Sequence, residues 1–203
     1  MSDTDVAVDE AVVGAKVEAA LLAMGRPLTS GRLAELLALE TTTPVKRAIE
    51  GLNAAYEETG RAFRIEAVAG GWQVMTLAEH ADVVGALQAK KGDGKLSAAA
   101  LETLAVVAYK QPILRADLEA IRGVACGEVL RALMERHLVK IVGRAEELGR
   151  PMLYGTTKRF LEVFGLATLK DLPSVEELAA PPAPSARPAP PPAAGIDGEA
   201  ERD

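Results

Sequence analysis

A stretch near the start of this chain recurs 85 residues later. AMGRPLTSGRLAELL (residues 23–37) lies on AYKQPILRADLEAIR (108–122), which sets Pro27 on Pro112, Leu33 on Leu118 and Leu36 on Ile121. One residue out of step, VKRAIEGL then falls on VLRALMER. A shared proline register across two copies points to duplication of one small module. Solenoid repeats have shorter periods and need three or more copies, so the reading is two domains in tandem.

Each copy contains the same order of elements. In the first, Val13, Val17, Ala20, Leu21 and Met24 share one helical face, and Gly25 and Pro27 end the helix. Thr29 or Ser30 caps a second helix with Leu33, Leu36 and Leu37 inward. Thr43-Pro44 starts a third, striped by Val45, Ala48, Ile49 and Leu52. The period then changes from 3.6 to 2. Phe63, Ile65 and Ala67 alternate with Arg64 and Glu66, and Trp72, Val74 and Thr76 follow Gly70-Gly71, which predicts a β-hairpin. A closing helix is expected over residues 78–90.

In the second copy Ser97 caps a helix with Leu101, Leu104, Ala105 and Ala108 inward, ending before Pro112. Helices over residues 114–121 (Leu118, Ile121 inward) and 126–136 (Val129, Leu130, Leu133 inward) follow. Val139 and Ile141 open a strand, AEELGRP turns it, and Met152 and Tyr154 sit on the return. A last short helix holds Phe160, Leu161 and Phe164. Three helices and a hairpin, twice, define the expected fold class. It is mainly α (α+β), two tandem winged helix-turn-helix domains at residues 11–89 and 96–178. A disordered acidic lead (1–10), a polar linker (90–95) and a Pro-rich disordered tail (179–203) complete the plan. The tail has seven prolines within residues 181–194, which no core helix or central strand tolerates.

Composition narrows the function. Apolar residues are 49% and aromatics 3%, so the core rests on Leu, Val and Ala, as in helix-on-helix packing. Residues 1–90 carry eight Lys/Arg against thirteen Asp/Glu, and residues 96–165 carry ten against eight. Neither balance suits a surface built to grip phosphates. One cysteine, Cys126, and two histidines, His80 and His137, offer neither a disulfide nor zinc-ligand spacing. The sequence shows no signal region and no apolar run long enough to span a bilayer, which predicts a cytoplasmic protein. No phosphate loop, nucleophile pair or paired carboxylate is legible, so the chain reads as a non-enzyme without cofactor or metal. Cys126 precedes a helix, where a thiolate can be stabilised, but a small residue filling a tight turn is the reading preferred here. His137 is expected at a helix end, favoured by the dipole.

The positive signal is surplus apolar surface. The helix AAALETLAVVAY is apolar nearly all round, and VVGAKVEAALLAM shows the same excess at Val12, Ala19 and Leu22. A small domain covers one face of such a helix and leaves the other for a second body. Val106, Val107 and Tyr109 are therefore expected to pack on a neighbour or partner. The competing reading is a winged-helix DNA-binding regulator. Its recognition helices would mix Lys46 and Arg47 with Glu50, Glu57 and Glu58, and Arg131 and Arg136 with Glu128 and Glu135. Those acids repel a phosphate backbone. DNA contact is thus expected to be weak or indirect, through Arg144, Arg150, Lys158 and Arg159.

Over residues 96–178 the motifs Y-K-Q-P-I, I-R-G-V and G-R-P-M-L-Y-G-T-T-K-R-F-L-E-V-F-G-L resemble those of bacterial segregation and condensation protein B. The G-G-W-Q-V hairpin carries a looser likeness in the first half. The resemblance implies a homodimeric accessory subunit of the SMC condensin complex, at the nucleoid. It would bind the kleisin, segregation and condensation protein A, and through it act on the SMC ATPase. It also implies dimerisation by the first domain and kleisin binding by the second. Leu114 and Ala125-Cys126-Gly127 stand where the family usually has polar helix caps, at a cost of about 1 kcal/mol each. Candidate kleisin contacts are Tyr109, Lys110, Gln111, Pro112, Arg150, Tyr154, Phe160 and Phe164, with Arg150 foremost. Candidate dimer contacts are Val12, Leu22 and Trp72.

Overall fold

The structure, a computed structural model, describes residues 10–89 and 95–174. The acidic lead, most of the linker and the Pro-rich tail expected from the sequence lie outside the described residues. Glu10, assigned to the lead, instead opens the first helix.

The N lobe runs α1 (Glu10–Met24), α2 (Ser30–Leu36), α3 (Thr43–Glu58), β1 (Phe63–Val68), β2 (Gly71–Thr76), a 3-10 turn at Ala78–His80 and α4 (Ala81–Ala89). The C lobe runs α5 (Ala98–Lys110), β3 (Ile113–Leu114), α6 (Arg115–Arg122), α7 (Gly127–Glu135), β4 (Val139–Arg144), β5 (Met152–Thr156), α8 (Lys158–Phe164) and a 3-10 turn at Leu169–Asp171. In each lobe the residue after the repeated proline pairs with the return strand of the hairpin. Leu28 bridges Trp72, and Ile113 pairs with Tyr154 in a sheet of order β3-β5-β4. Helix, short strand, two helices and a hairpin is the winged helix-turn-helix topology, present twice.

Each lobe has its own core. The N lobe buries Val13, Val17, Leu21, Leu33, Val45 and Ile49. The C lobe buries Leu104, Val107, Leu118, Leu130, Leu133 and Phe160. Their described residues, up to Leu172, nevertheless form one compact unit. Strand alternation turns Val68 away from Ile65, yet both are buried. Val68 lies beside the join between the lobes, where the Ala69 N–H donates to the Leu166 carbonyl at 2.8 Å.

Helix starts follow their residues. Thr29, Ser97 and Thr157 accept backbone N–H bonds from Arg32, Ala100 and Phe160. Leu114 and Cys126 make no side-chain cap. At the start of α7, Glu119 on α6 reaches across and accepts the Cys126 N–H at 2.8 Å, while also taking Arg115 Nε at 2.8 Å. Those two donors hold its carboxyl below the usual carboxylate range, the Cys126 N–H contributing more. A Cβ at Gly127 would meet the Arg115 guanidinium at 2.9 Å, so any larger residue there must push that flexible side chain aside.

Several expected inward positions are exposed. Met24, Leu36 and Ile121 close their helices, and left-handed residues Gly25, Ala38 and Gly123 then turn the chain away. In α5 the buried set is Ala100, Thr103, Leu104, Val107 and Ala108, so Leu101 and Ala105 face out. The hairpin turn is Ala69-Gly70, both at positive φ, rather than Gly70-Gly71. Val68 is buried and Ala67 exposed. Gly71 starts β2 because a Cβ there would lie 2.8 Å from the Leu28 carbonyl oxygen.

Candidate protein interface

Helix α1 packs one face on α3 through Val13, Val17 and Leu21. The Tyr56 hydroxyl on α3 donates to Glu18 at 2.6 Å, and burial together with that carboxylate pushes its pKa up. The opposite face of α1 is also apolar: Val12 is 47% and Leu22 57% exposed, with Ala15 and Ala19 between them. The N lobe therefore leaves a second apolar stripe on α1 in solvent, as the sequence suggested.

Helix α5 shows the same surplus on different residues. Val107 is wholly buried and Val106 half-buried, which corrects their expected place at a partner. The outward stripe is Leu101 (46% exposed), Ala105 and Tyr109, one helical turn apart. Thr103 enters the core because its hydroxyl donates to the Ala99 carbonyl at 2.8 Å. Leu101 is a surface residue that the sequence reading missed, since an all-apolar helix does not reveal its phase.

Among the candidate kleisin contacts, Tyr109, Lys110, Pro112, Arg150 and Phe164 are exposed, and Tyr154 is half-buried. Phe160 belongs to the core and stacks on Phe164, ring centroids 4.7 Å apart. Gln111 is engaged within the lobe. Its amide donates to the Ala108 carbonyl and the Thr156 hydroxyl, and its Oε1 accepts the Thr156 N–H at 2.8 Å. That amide fastens the end of α5 to β5.

The wing brings Tyr154 and Pro151 together. With Leu114, Arg115, Glu147 and Met152 they line a shallow groove of about 430 Å³. Arg150 stands at the wing tip with φ 44°, its N–H on the Glu147 carbonyl at 2.8 Å and its own carbonyl accepting from Arg144 at 3.2 Å. A non-glycine residue in this conformation costs on the order of 1 kcal/mol. Phe164 lies on α8, after the wing. Trp72 is half-buried, and its Nε1–H donates to the Ser30 hydroxyl at 2.8 Å, pinning the first wing to α2.

Other features offer little chemistry. A cleft of about 580 Å³ lies between α3 and β1, but Asn53 there pairs with both backbone groups of Ile65. Cys126 is buried, its thiol on the Val124 carbonyl. His137 is exposed with φ 57°, and its carbonyl accepts from the Thr157 hydroxyl. Among the described residues no group of three metal-ligating side chains assembles, and no helix is long and apolar enough to cross a membrane.

The fold and its surfaces define a tandem winged-helix protein with exposed apolar stripes on the leading helix of each lobe. The chain belongs to the segregation and condensation complex subunit ScpB family, whose profile matches residues 15–175. It is 41% identical to segregation and condensation protein B of Syntrophotalea carbinolica, over 83% of this chain and 85% of that one. It is 50% identical to the Brevibacillus brevis protein of that name over 62% of this chain, spanning 64% of the relative. It is also similar to a crystal structure described as a dimer of the ScpB N-terminal domain complexed with ScpA peptide. That match has 27% identity over 38% of this chain and 95% of the other, with a TM-score of 0.35.

Proposed function

We propose that this protein is a non-enzymatic scaffold of the SMC condensin complex, a homodimer that binds the kleisin, segregation and condensation protein A. Through the kleisin it reaches the SMC ATPase and supports chromosome condensation and partition at the nucleoid, in the cytoplasm. Family membership supports the complex. The single observation that carries the scaffold reading is the second apolar stripe on α1 and on α5, left uncovered by either lobe.

The N lobe, residues 11–89, supplies the dimer contact through Val12 and Leu22, with Trp72 holding the hairpin beside them. The C lobe, residues 96–178, supplies the kleisin surface: Tyr109, Lys110, Pro112, Arg150 and Phe164, joined by Leu101. Phe160 and Gln111 act through the geometry they impose on Phe164 and β5. The test is co-expression with the kleisin and light scattering on the purified product. The expected result is a stable complex containing two copies of this chain. Recovery of this chain as a lone monomer, with the kleisin in the flow-through, would overturn the proposal.

A further inference from the structure

The two wings present their tips differently. At the second wing the turn stands in solvent, with Glu146, Glu147, Gly149 and Arg150 exposed and Leu148 fully so. At the first wing the turn is covered. Val68 is wholly buried and Ala69 only 5% exposed. Neither residue belongs to the N-lobe core or to the C-lobe core. What covers them lies outside both.

Two contacts identify the cover. The Ala69 N–H donates to the Leu166 carbonyl at 2.8 Å, across the join between the lobes. Met75 pairs with Arg64, so it shares the hairpin face of Val68, and its Cε lies 3.7 Å from where a Cβ at Gly165 would stand. The loop that leaves α8, Gly165-Leu166, thus lies against the outer face of the first hairpin. That loop is firmly held. The Leu166 N–H donates to the Leu161 carbonyl at 2.9 Å, and its side chain packs on the C-lobe core. Among the described residues, the broad packing of helices and strands on one another stays within each lobe. The join is therefore small, and domains that meet over a modest area move relative to one another.

We propose that the first wing is a reversible latch: Val68, Ala69 and Met75 dock on the α8 exit loop of the same chain and hold the two lobes in one orientation. While the latch is closed, the outer stripes of α1 and α5 stand in a fixed relation and the first wing tip is shut to other ligands. Opening it frees the tip and lets the lobes turn independently, with neither unfolded. Backbone-amide NMR relaxation of the full chain reads the tumbling of each lobe, and hydrogen exchange at Ala69 reads the latch bond. The unsubstituted chain is expected to show one common tumbling time. Its Ala69 exchange should be several-fold slower than that of the exposed Leu148, after correction for intrinsic rates. Val68→Lys places a charge that the closed latch cannot hold and the open one exposes to water. It should bring Ala69 to the Leu148 rate and give the lobes different tumbling times. Exchange at the Ile65 N–H, bonded to Asn53 within the N lobe, should stay slow. Met75→Glu should act in the same direction and more weakly, and Ala67→Lys, on the other hairpin face, should change neither reading. Fast Ala69 exchange or separate tumbling in the unsubstituted chain overturns the proposal, as does a Val68→Lys chain that keeps both readings. Loss of Ile65 protection in Val68→Lys would assign Val68 to its own lobe and sink the latch. Ala69 protection that grows with protein concentration would hand the docking loop to a second copy and overturn the same-chain assignment.

Discussion

The two lobes share one order of elements but secure their wings by different means. In the N lobe the contact is backbone against backbone, the Leu28 segment lying on Gly71 and Trp72 with no room for a side chain at Gly71. In the C lobe the backbone pairing of β3 with β5 is reinforced by a side chain, Gln111 bonding the Thr156 N–H and hydroxyl above Gly155. Duplicated topology thus tolerates different fastenings, provided the strand after the proline reaches the return strand. The lobes also differ outside. The N lobe shows apolar helix faces in an acidic setting, while the C lobe sets its apolar stripe beside a basic wing.

The comparison breaks most readily at the cores. Leu33 and Leu118 are repeat-equivalent and wholly buried. Leu33→Ala and Leu118→Ala should each cost about 3 kcal/mol in chemical denaturation. Because the lobes form one compact unit, each is expected to shift a single transition. Two separated transitions, one moved by each variant, would show that the lobes unfold independently.

The glycines come next. Gly71→Ala places a Cβ 2.8 Å from a backbone oxygen, which cannot swing away, and should cost about 2–3 kcal/mol. Gly155→Ala meets the Gln111 and Val142 side chains at the same distance; these can move, though Gln111 then gives up its bond to Thr156, so about 1–2 kcal/mol is expected. Equal losses in thermal melts would erase the distinction drawn between the two wings.

Gln111→Ala strips the Thr156 N–H of its acceptor inside the lobe and should cost about 1–2 kcal/mol, measured by urea titration. Ser30→Ala removes only the acceptor of the Trp72 Nε1–H and should cost less. The reverse order would mean that the first wing depends on its side chain after all.

The smallest effect concerns Glu119. Its folded pKa is depressed, so its contribution is complete above the unfolded carboxylate value near ~4.3 and is lost as pH falls through the lower folded value. The Tm gap between wild type and Glu119→Gln should hold from neutral pH down to that range and close below it. A gap that stays constant into strong acid would remove Glu119 as the substitute cap of α7.

Much of this was legible in the residues. Proline register, cap residues and the change of period gave both winged helices and the order of their elements. What failed did so for physical reasons. An apolar helix such as α5 carries no phase, and a core threonine satisfied by its own helix backbone, Thr103, looks polar in any pattern. Met24, Leu36 and Ile121 continue their stripes in sequence but stand where the helices leave the core. The burial of Val68, on the strand face opposite the N-lobe core, does not follow from alternation within one hairpin. Among the candidate contacts, exposure at Val12, Leu22 and Tyr109 followed from surplus apolarity, whereas the internal duty of Gln111 required the position of β5.

The central claim is that the outer stripes of α1 and α5 exist for other molecules. Paired surface variants test it most directly: Leu22→Glu and Leu101→Glu, each measured for urea stability and for mass by light scattering with and without the kleisin. The account predicts stability within about 0.5 kcal/mol of wild type, a monomer for Leu22→Glu, and a dimer without kleisin for Leu101→Glu. Unchanged assembly accompanied by a loss of several kcal/mol would show that these side chains serve their own lobes, and would contradict it.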